Sequence, residues 1–293
     1  MARILVTGVG GPDGRNTAIL LLERGHTVIG TDMREVSLPD LQFHRISPAH
    51  AASFLDELYC LALDERVCLL IPTVSEELPI LATRRDPWDG IKVALASYEA
   101  VNRANDKYLT GQCLSLHGVS VPRYVLPSQV ASAADIVRCT GWPCVSKPRV
   151  GRGGREVIVH GEDGWSAITA LDDRYILQEF VPGTDYAPEL FVAEAGNSTP
   201  AKPCQSTVVV LEKTKLKGGL VGNAEEVRRV AAPDVADLAL SAARAMGLTG
   251  PLDIDIRRRA DGQPVVLEIN ARLGANIAHA PEVLDALLLA YGI

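Results

Sequence analysis

The sequence predicts a mixed fold, with an N-terminal α/β unit of Rossmann-like type followed by an α+β unit rich in antiparallel strands. Three observations carry this prediction. Strand-like and helix-like segments alternate up to about residue 100, as parallel βαβ units do. That alternation then fades, and strand-like runs dominate. Near the end, Leu252 to Asn270 alternates apolar and polar residues around Asp261-Gly262, the pattern of an antiparallel hairpin. A chain of 293 residues has room for about two domains.

In the N-terminal part, residues 3–7 read as a buried strand, Thr7 to Gly14 as a glycine-rich turn, 15–24 as a helix before Gly25, and 27–31 as a strand ending at Asp32. Further units are a helix at 51–63, a strand at 67–71, a helix at 75–83 with Ser75 as its cap, and a strand at 91–94. Strand, glycine turn, helix, strand and acid form the fingerprint of dinucleotide binding. Taken alone, it suggests an NAD(P)-dependent short-chain reductase or epimerase. Two observations weaken that reading. A reductase of this type needs a Tyr-x-x-x-Lys pair so that the lysine lowers the tyrosine pKa, and none of the seven tyrosines has lysine at that spacing. The alternation also ends before a full dinucleotide sheet is complete. Gly8, Gly10, Gly11 and Gly14 then serve turn geometry, or a helix N-terminus that faces a substrate anion.

The middle of the chain carries a sharper signal. An apolar strand, Trp142-Pro-Cys-Val-Ser, delivers Lys147, where a charge is hard to explain structurally. Pro148 ends that strand, and Gly151, Gly153 and Gly154 permit a loop whose amides approach phosphates before a second strand at 156–160. A mobile flap of this kind closes over a nucleotide and excludes water.

The C-terminal hairpin places Asp253 and Asp255 on one strand face and Leu252, Ile254 and Ile256 on the other. Glu268 and Asn270 return on the neighbouring strand, so oxygen ligands converge. Such hard donors hold magnesium, which keeps positions open for nucleotide phosphates. Arg272 follows as an always charged fork able to reach the same phosphates. The alternative is a solvated hairpin with its acidic face in water. Glu268 and Asn270 lie inside an apolar run, where an unpaired charge is costly, and this favours the metal reading.

Glu268-Ile-Asn-Ala-Arg-Leu-Gly-Ala-Asn276 resembles the C-terminal signature of ATP-grasp ligases, in particular the branch that includes the large subunit of carbamoyl phosphate synthetase. The likeness runs from about residue 1 to 280, with the motifs in the expected order. It implies a pre-ATP-grasp domain at 1–104 and an ATP-grasp domain at 105–293, with a small lid subdomain at about 120–182. It also implies ATP and Mg2+ as cofactors, with Mn2+ as a substitute ion. Lys107 and Lys147 correspond to the nucleotide lysines of the family, and Gly151, Gly153 and Gly154 to its triphosphate loop. The stretch Glu179, Phe180 and Val181 corresponds to the adenine hinge, and Asp185 to the acid that accepts from ribose hydroxyls. Asp255, Glu268 and Asn270 correspond to the metal ligands. Asp255 stands where relatives commonly have glutamate or glutamine, and Asp253 is the alternative ligand.

Lys213 and Lys215 resemble the basic loop near phosphates and acceptor, or else form a solvated strand edge. Arg228 and Arg229 are further candidates for the carboxylate substrate. The implied activity is coupling of a small-molecule carboxylate to an amine or similar nucleophile through an acyl phosphate, with Lys147, Lys213 and Arg272 as catalytic residues. A nucleotide-binding regulator without catalysis is the remaining alternative. The short tail after the metal motif leaves the acceptor pocket open to completion by a second subunit, as a homodimer, or by solvent.

Composition agrees with this class. Hydrophobic content of 47% with 22% charged residues suits a folded soluble chain, and no run reaches the ~20 apolar residues of a membrane span. Net charge of -7 argues against a general nucleic-acid partner. Six cysteines without a Cys-x-x-Cys pair read as free thiols. A strand at the very start leaves no place for a leader, so the cytoplasm is the expected compartment.

Overall fold

The computed structural model describes residues 1–83, 88–151, 153–194, 205–219 and 224–293. The three central strands of its first sheet are largely buried, mostly apolar runs. Strands β1 (Arg3–Thr7), β2 (Thr27–Asp32), β3 (Gln42–Arg45), β4 (Leu69–Ile71) and β5 (Lys92–Val93) are all parallel, in the order β3-β2-β1-β4-β5. Parallel strands need crossovers, and helices supply three of the four: α1 (Pro12–Glu23), α2 (Phe54–Asp64) and α3 (Leu78–Ala82), while residues 33–41 link β2 to β3 without a helix. One sheet face packs Leu5, Ile29 and Leu70 against Phe54 and Leu58 of α2.

Two helices lead out of this sheet. The first, α4 (Tyr98–Asn105), is capped by Ser97, which accepts from the Ala100 amide. The second, α5 (Lys107–Leu116), is capped by Asp106, which accepts from the amides of Tyr108 and Leu109. Asp106 also pairs with Arg149, Nη2 to Oδ2 at 2.6 Å, fixing the start of α5 against the end of the lysine strand.

The segment around that strand forms a small antiparallel sheet. Strands β6 (Tyr124–Val125), β7 (Cys144–Pro148), β8 (Ile158–His160) and β9 (Tyr175–Glu179) take the order β6-β9-β7-β8, with α6 (Ala133–Cys139) and α7 (Trp165–Ile168) against one face. Because side chains alternate along β7, Cys144 faces the helices while Val145 and Lys147 face the opposite way.

The third sheet contains β10 (Asp185–Tyr186), β11 (Glu189–Val192), β12 (Thr207–Val209), β13 (Leu211–Leu216), β14 (Ala224–Arg229), β15 (Gly250–Arg258) and β16 (Pro264–Asn270). Its path runs β12-β11-β15-β10-β13-β14, and β16 pairs with β15. Helix α8 (Pro233–Met246) begins with proline at its first turn and ends at Gly247, whose φ of 67° is a left-handed cap. Its Val235, Ala239 and Met246 pack on Leu252, Ile254 and Ile256, all fully buried. Helix α9 (Pro281–Ala290) joins the sheets: its Val283, Leu284 and Leu287 share one core with Ile4 and Val6 of β1, Phe191 of β11 and Leu211 of β13. The parallel sheet and the large antiparallel sheet are therefore held against each other by apolar packing.

The predicted elements are found with shifted ends. The helix read at 51–63 starts at Phe54, and the one read at 75–83 spans only Leu78–Ala82. Ser75 caps nothing; its hydroxyl accepts from Arg272 Nε at 3.3 Å. Cys60, Cys68, Cys113, Cys139 and Cys144 are free, and Cys204 lies outside the described residues, as does Arg152 of the glycine loop. No helix among the described residues is long and apolar enough to cross a membrane.

Gly14 shows how tightly the first turn is closed. A Cβ there would meet the Gly8 carbonyl oxygen at 2.5 Å and that of Thr7 at 2.6 Å. Gly14→Ala is expected to lower stability by about 1–3 kcal/mol, seen as an earlier urea midpoint. An unchanged midpoint would contradict that packing.

Candidate active site

The site begins with the pairing of β15 and β16. Asp253 lies opposite Asn270 and Asp255 opposite Glu268, but Ile256 lies opposite Val266, so one extra residue, Leu267, is accommodated. Such a bulge bends the strand and frees a backbone group from the ladder. Here the Leu267 carbonyl accepts from Lys147 Nζ at 3.1 Å. The polar face of the pair thus meets the lysine face of β7 across a cavity of about 380 Å³.

Every acid on that face has a cationic neighbour. Glu268 Oε1 is 3.0 Å from Lys107 Nζ, which also donates to the Gly151 carbonyl at 2.9 Å. Asp255 Oδ1 is 2.5 Å from Lys213 Nζ. Asp185 is 2.8 Å from Arg257 and 3.4 Å from Lys213. Arg272 lies 3.5 Å from both Asp13 and Asp253, and Asn270 Nδ2 donates to Asp253 at 3.3 Å. Among the described residues Lys147 has no carboxylate at ion-pair distance, although it is only 6% exposed.

These environments shift proton affinities. Burial is the main influence on Lys147, helped by Lys107 and opposed by Glu268, and its pKa falls to about 8. Burial also opposes the charge on Lys213, yet Asp255 and Asp185 outweigh it and its pKa rises. For Asp255 the same ion pair wins against burial, and its pKa falls. Asp253 goes the other way: burial and repulsion from Asp255 push it up to about 7 despite Arg272. Glu189, fully buried beside Asp253, is raised well above the carboxylate range by burial and that neighbour.

The cavity's other wall comes from the small sheet and its glycine loop. Val145, Gln178, Phe180 and Val181 line it together with Leu267, and Gly153 and Gly154 sit at its edge with φ of 68° and 69°, values that glycine adopts without strain. The Glu179 carboxylate turns away to Arg123 and Arg259, at 3.3 and 3.4 Å, leaving its backbone beside the cavity.

Of the residues singled out in the sequence, Lys147, Gly153, Gly154, Glu179, Phe180, Val181, Asp185, Lys213, Asp255, Glu268, Asn270 and Arg272 line this one cavity. Lys107 and Gly151 adjoin it through Glu268. Lys215 does not: the register shifts between Lys213 and Lys215, and the bulge turns Lys215 outward to Glu225 at 3.0 Å. Arg228 and Arg229 are also outside, paired with Glu212 and Glu282. Sequence reasoning missed Asp13, Glu189 and Arg257. Glu189 carries the signal that found Glu268, an acid within an apolar strand, and Arg257 continues the alternation of Asp253 and Asp255. Nothing local marks Asp13, which reaches Arg272 from the first glycine turn.

That turn has its own closure. Asp32 accepts from the Gly10 amide through Oδ2 and from the Arg34 amide through Oδ1, both at 3.0 Å. The acid that a dinucleotide reading needs for ribose is thus engaged in shaping the turn.

Residues 104–276 match the family described as ATP-grasp domain, more than half of the chain. The chain belongs to the ATP-grasp family. No curated protein matches it in sequence. Solved structures share its fold at low identity. N5-carboxyaminoimidazole synthetase from Staphylococcus aureus, complexed with ADP, has a TM-score of 0.72 at 14% identity, over 99% of this chain and 77% of that one. Biotin carboxylase from Campylobacter jejuni, in a β,γ-ATP complex, has 0.68 at 16%, over 100% and 72%. D-alanine–D-alanine ligase from Bacillus anthracis has 0.63 at 11%, over 99% and 97%. In this ATP-grasp chain the donor chemistry of Asp255, Glu268 and Asn270 suits magnesium, being two carboxylates and an amide oxygen on one bulged pair. No cluster of three His, Cys, Asp or Glu side chains fit for a metal occurs among the described residues, so this set depends on the amide.

Lys147 gives a pH test. Its folded pKa of about 8 lies below its ordinary 10.5, so the cost of burying the charge is fully present below pH 8. As pH rises from about 8 towards 10.5 the folded chain loses that proton first, and stability rises. Lys147→Met is expected to be more stable than the native chain below pH 8, by up to about 3 kcal/mol at ~1.4 kcal/mol per pKa unit. The gap closes as pH climbs through that window in urea unfolding. A difference independent of pH would contradict the assignment.

Proposed function

We propose that this protein is an ATP- and magnesium-dependent ligase that activates a small-molecule carboxylate as an acyl phosphate and couples it to an amine or similar nucleophile. The observation that carries this reading is the buried Lys147 ammonium, without a carboxylate of its own among the described residues, facing Glu268 and Asn270 across one cavity. A phosphate chain supplies the missing anion. Val145, Phe180, Val181 and Leu267 offer the apolar slot for adenine, and the backbone at 179–181 its hydrogen bonds. Asp185 is the proposed ribose acceptor, and Gly151, Gly153 and Gly154 cover the phosphates.

Asp255, Glu268 and Asn270 would hold the metal, Mg2+ or in its place Mn2+. When bound, it neutralises phosphate charge and polarises the γ-phosphoryl group. In the first step a carboxylate oxygen of the substrate bonds to the γ-phosphorus, the bond to the bridging oxygen breaks, and ADP leaves. In the second, the nucleophile's nitrogen bonds to the carbonyl carbon, the bond to the phosphate oxygen breaks, inorganic phosphate leaves, and the nitrogen's proton passes to solvent. Lys107, Lys147 and Arg272 offset charge on the transferring group, and Lys213 holds Asp255 and Asp185 in place until substrates arrive. The residues bind and orient; none acts as a nucleophile, as suits phosphoryl transfer governed by positioning and electrostatics.

ADP and phosphate formation across a panel of carboxylates and amines, with mass detection of the joined product, tests the reading. Lys147→Ala and Glu268→Gln are expected to lower kcat/KM by about 10²–10³-fold, the range for removal of one preorganised stabilising group. Circular dichroism should show a retained fold. Wild-type turnover in either variant, or no ADP formed with any pair, would overturn it.

A further inference from the structure

Lys107 is the first residue of α5, and the start of a helix leaves its first amides without partners inside the helix. Asp106 takes two of them, its Oδ1 accepting from Tyr108 at 2.9 Å and from Leu109 at 3.3 Å. The Thr110 amide reaches the Asp106 carbonyl at 2.8 Å. The Lys107 amide turns to another element, donating to the Arg149 carbonyl at 3.0 Å. Two residues further along, the Gly151 carbonyl accepts from Lys107 Nζ at 2.9 Å. The chain at 149–151 therefore holds Lys107 by both its amide and its ammonium.

Arg149 secures that hold with its side chain. Its Nε lies 3.1 Å from both oxygens of Asp106 and its Nη2 2.6 Å from Oδ2, a two-pronged pair, while Nη1 donates to the Asp173 carbonyl at 3.2 Å. The guanidinium stands 5.2 Å from the centre of the Tyr108 ring, which meets Tyr124 edge-on at 5.8 Å. Tyr124 in turn lies over Gly111 of α5, where a Cβ would be 2.8 Å from the ring. At the opposite end of the small sheet, the contacts of Glu179 with Arg123 and Arg259 are longer, 3.3 and 3.4 Å. Charge pairs contribute most when short and bidentate, so the stronger tie between the small sheet and its surroundings is the one at Arg149.

We propose that Arg149 is a positioning residue for the nucleotide: by clamping Asp106 it sets where Lys107 meets the phosphates. This rests on the nucleotide site of the ligase reading above. Arg149 does not line the cavity and acts through Lys107. A lysine ammonium on its flexible stem meets phosphate as a point charge, so its placement depends on how the start of its helix is anchored. Without the anchor, the ammonium must be ordered when the nucleotide binds, and that ordering is lost from affinity. Asp106 has two tasks, cap and clamp. Asparagine serves as well for the cap but brings no charge to the clamp.

Calorimetric titration of the full chain with ADP in the presence of Mg2+ separates affinity, read as Kd, from the folded fraction, read as stoichiometry. Arg149→Met is expected to raise Kd for ADP about tenfold or more at unchanged stoichiometry. Asp106→Asn, which keeps an oxygen for the cap, should raise it about threefold or more, and the double variant should stay within about twofold of Arg149→Met alone, because both changes break the same pair. In a Lys107→Met background, Arg149→Met should cost less than about threefold, since the group it positions is gone. If Arg149→Met lowers the stoichiometry, Asp106→Asn with and without Lys107→Met decides by the same comparison. The proposal is overturned by native affinity in Arg149→Met, by an equal loss in the Lys107→Met background, which would make Arg149 a general brace of the small sheet, or by additive losses at Arg149 and Asp106. Each of these leaves the ligase reading standing. A native chain that binds no ADP overturns both.

Discussion

The bulged pairing of β15 with β16 is the constraint on which the site depends. Leu252, Ile254 and Ile256 are fully buried against α8, so Asp253, Asp255 and Arg257 must occupy the opposite face. A one-residue slip would put the carboxylates into the apolar core, at a cost that no ion pair there offsets. The bulge at Leu267 then turns a carbonyl toward Lys147 while keeping Glu268 across from Asp255. Packing on one side of the hairpin thereby fixes chemistry on the other.

What the hairpin presents is an array of charges balanced by internal ion pairs. Lys107 and Lys213 sit against Glu268 and Asp255, so two donors suited to a cation are held by ammonium groups. Removing either lysine would leave a half-buried carboxylate uncompensated. On the proposed function, the acids would hold the metal and the lysines would turn to phosphate, exchanging these partners. Lys107 also holds the Gly151 carbonyl, which links this exchange to the glycine loop. Arg272 joins the system to the N-terminal sheet through Asp13 and Ser75, and α9 keeps the two sheets in contact.

Much of this was legible in the sequence for one reason: charges inside apolar strands are expensive, so Lys147 and Glu268 announced themselves. Family order then led to Lys107, Asp185 and the 179–181 stretch. Other features had no local signature. The bulge that turns Lys215 to Glu225 depends on β14 as the partner strand, and alternation alone placed Lys213 and Lys215 together. Ser75 looked like a cap because the serine precedes a helix, but the helix starts later and Arg272 from 197 residues away uses its hydroxyl. Asp13 was hidden for the same cause, being a long-range partner in a turn whose glycines drew attention. The α4 helix has little apolar periodicity to mark it, its buried side chains being Ala100, Val101 and Ala104, and only Ser97 as cap signals its start.

The most direct test of the account is a crystal structure with ADP and Mg2+. The account requires adenine between the small sheet and Leu267, the diphosphate within reach of Lys107 and Lys147, and a metal ion on Asp255, Glu268 and Asn270, with Lys213 released from Asp255. Nucleotide density on the Gly8 to Gly14 turn, with the cavity beside Lys147 empty, would contradict it.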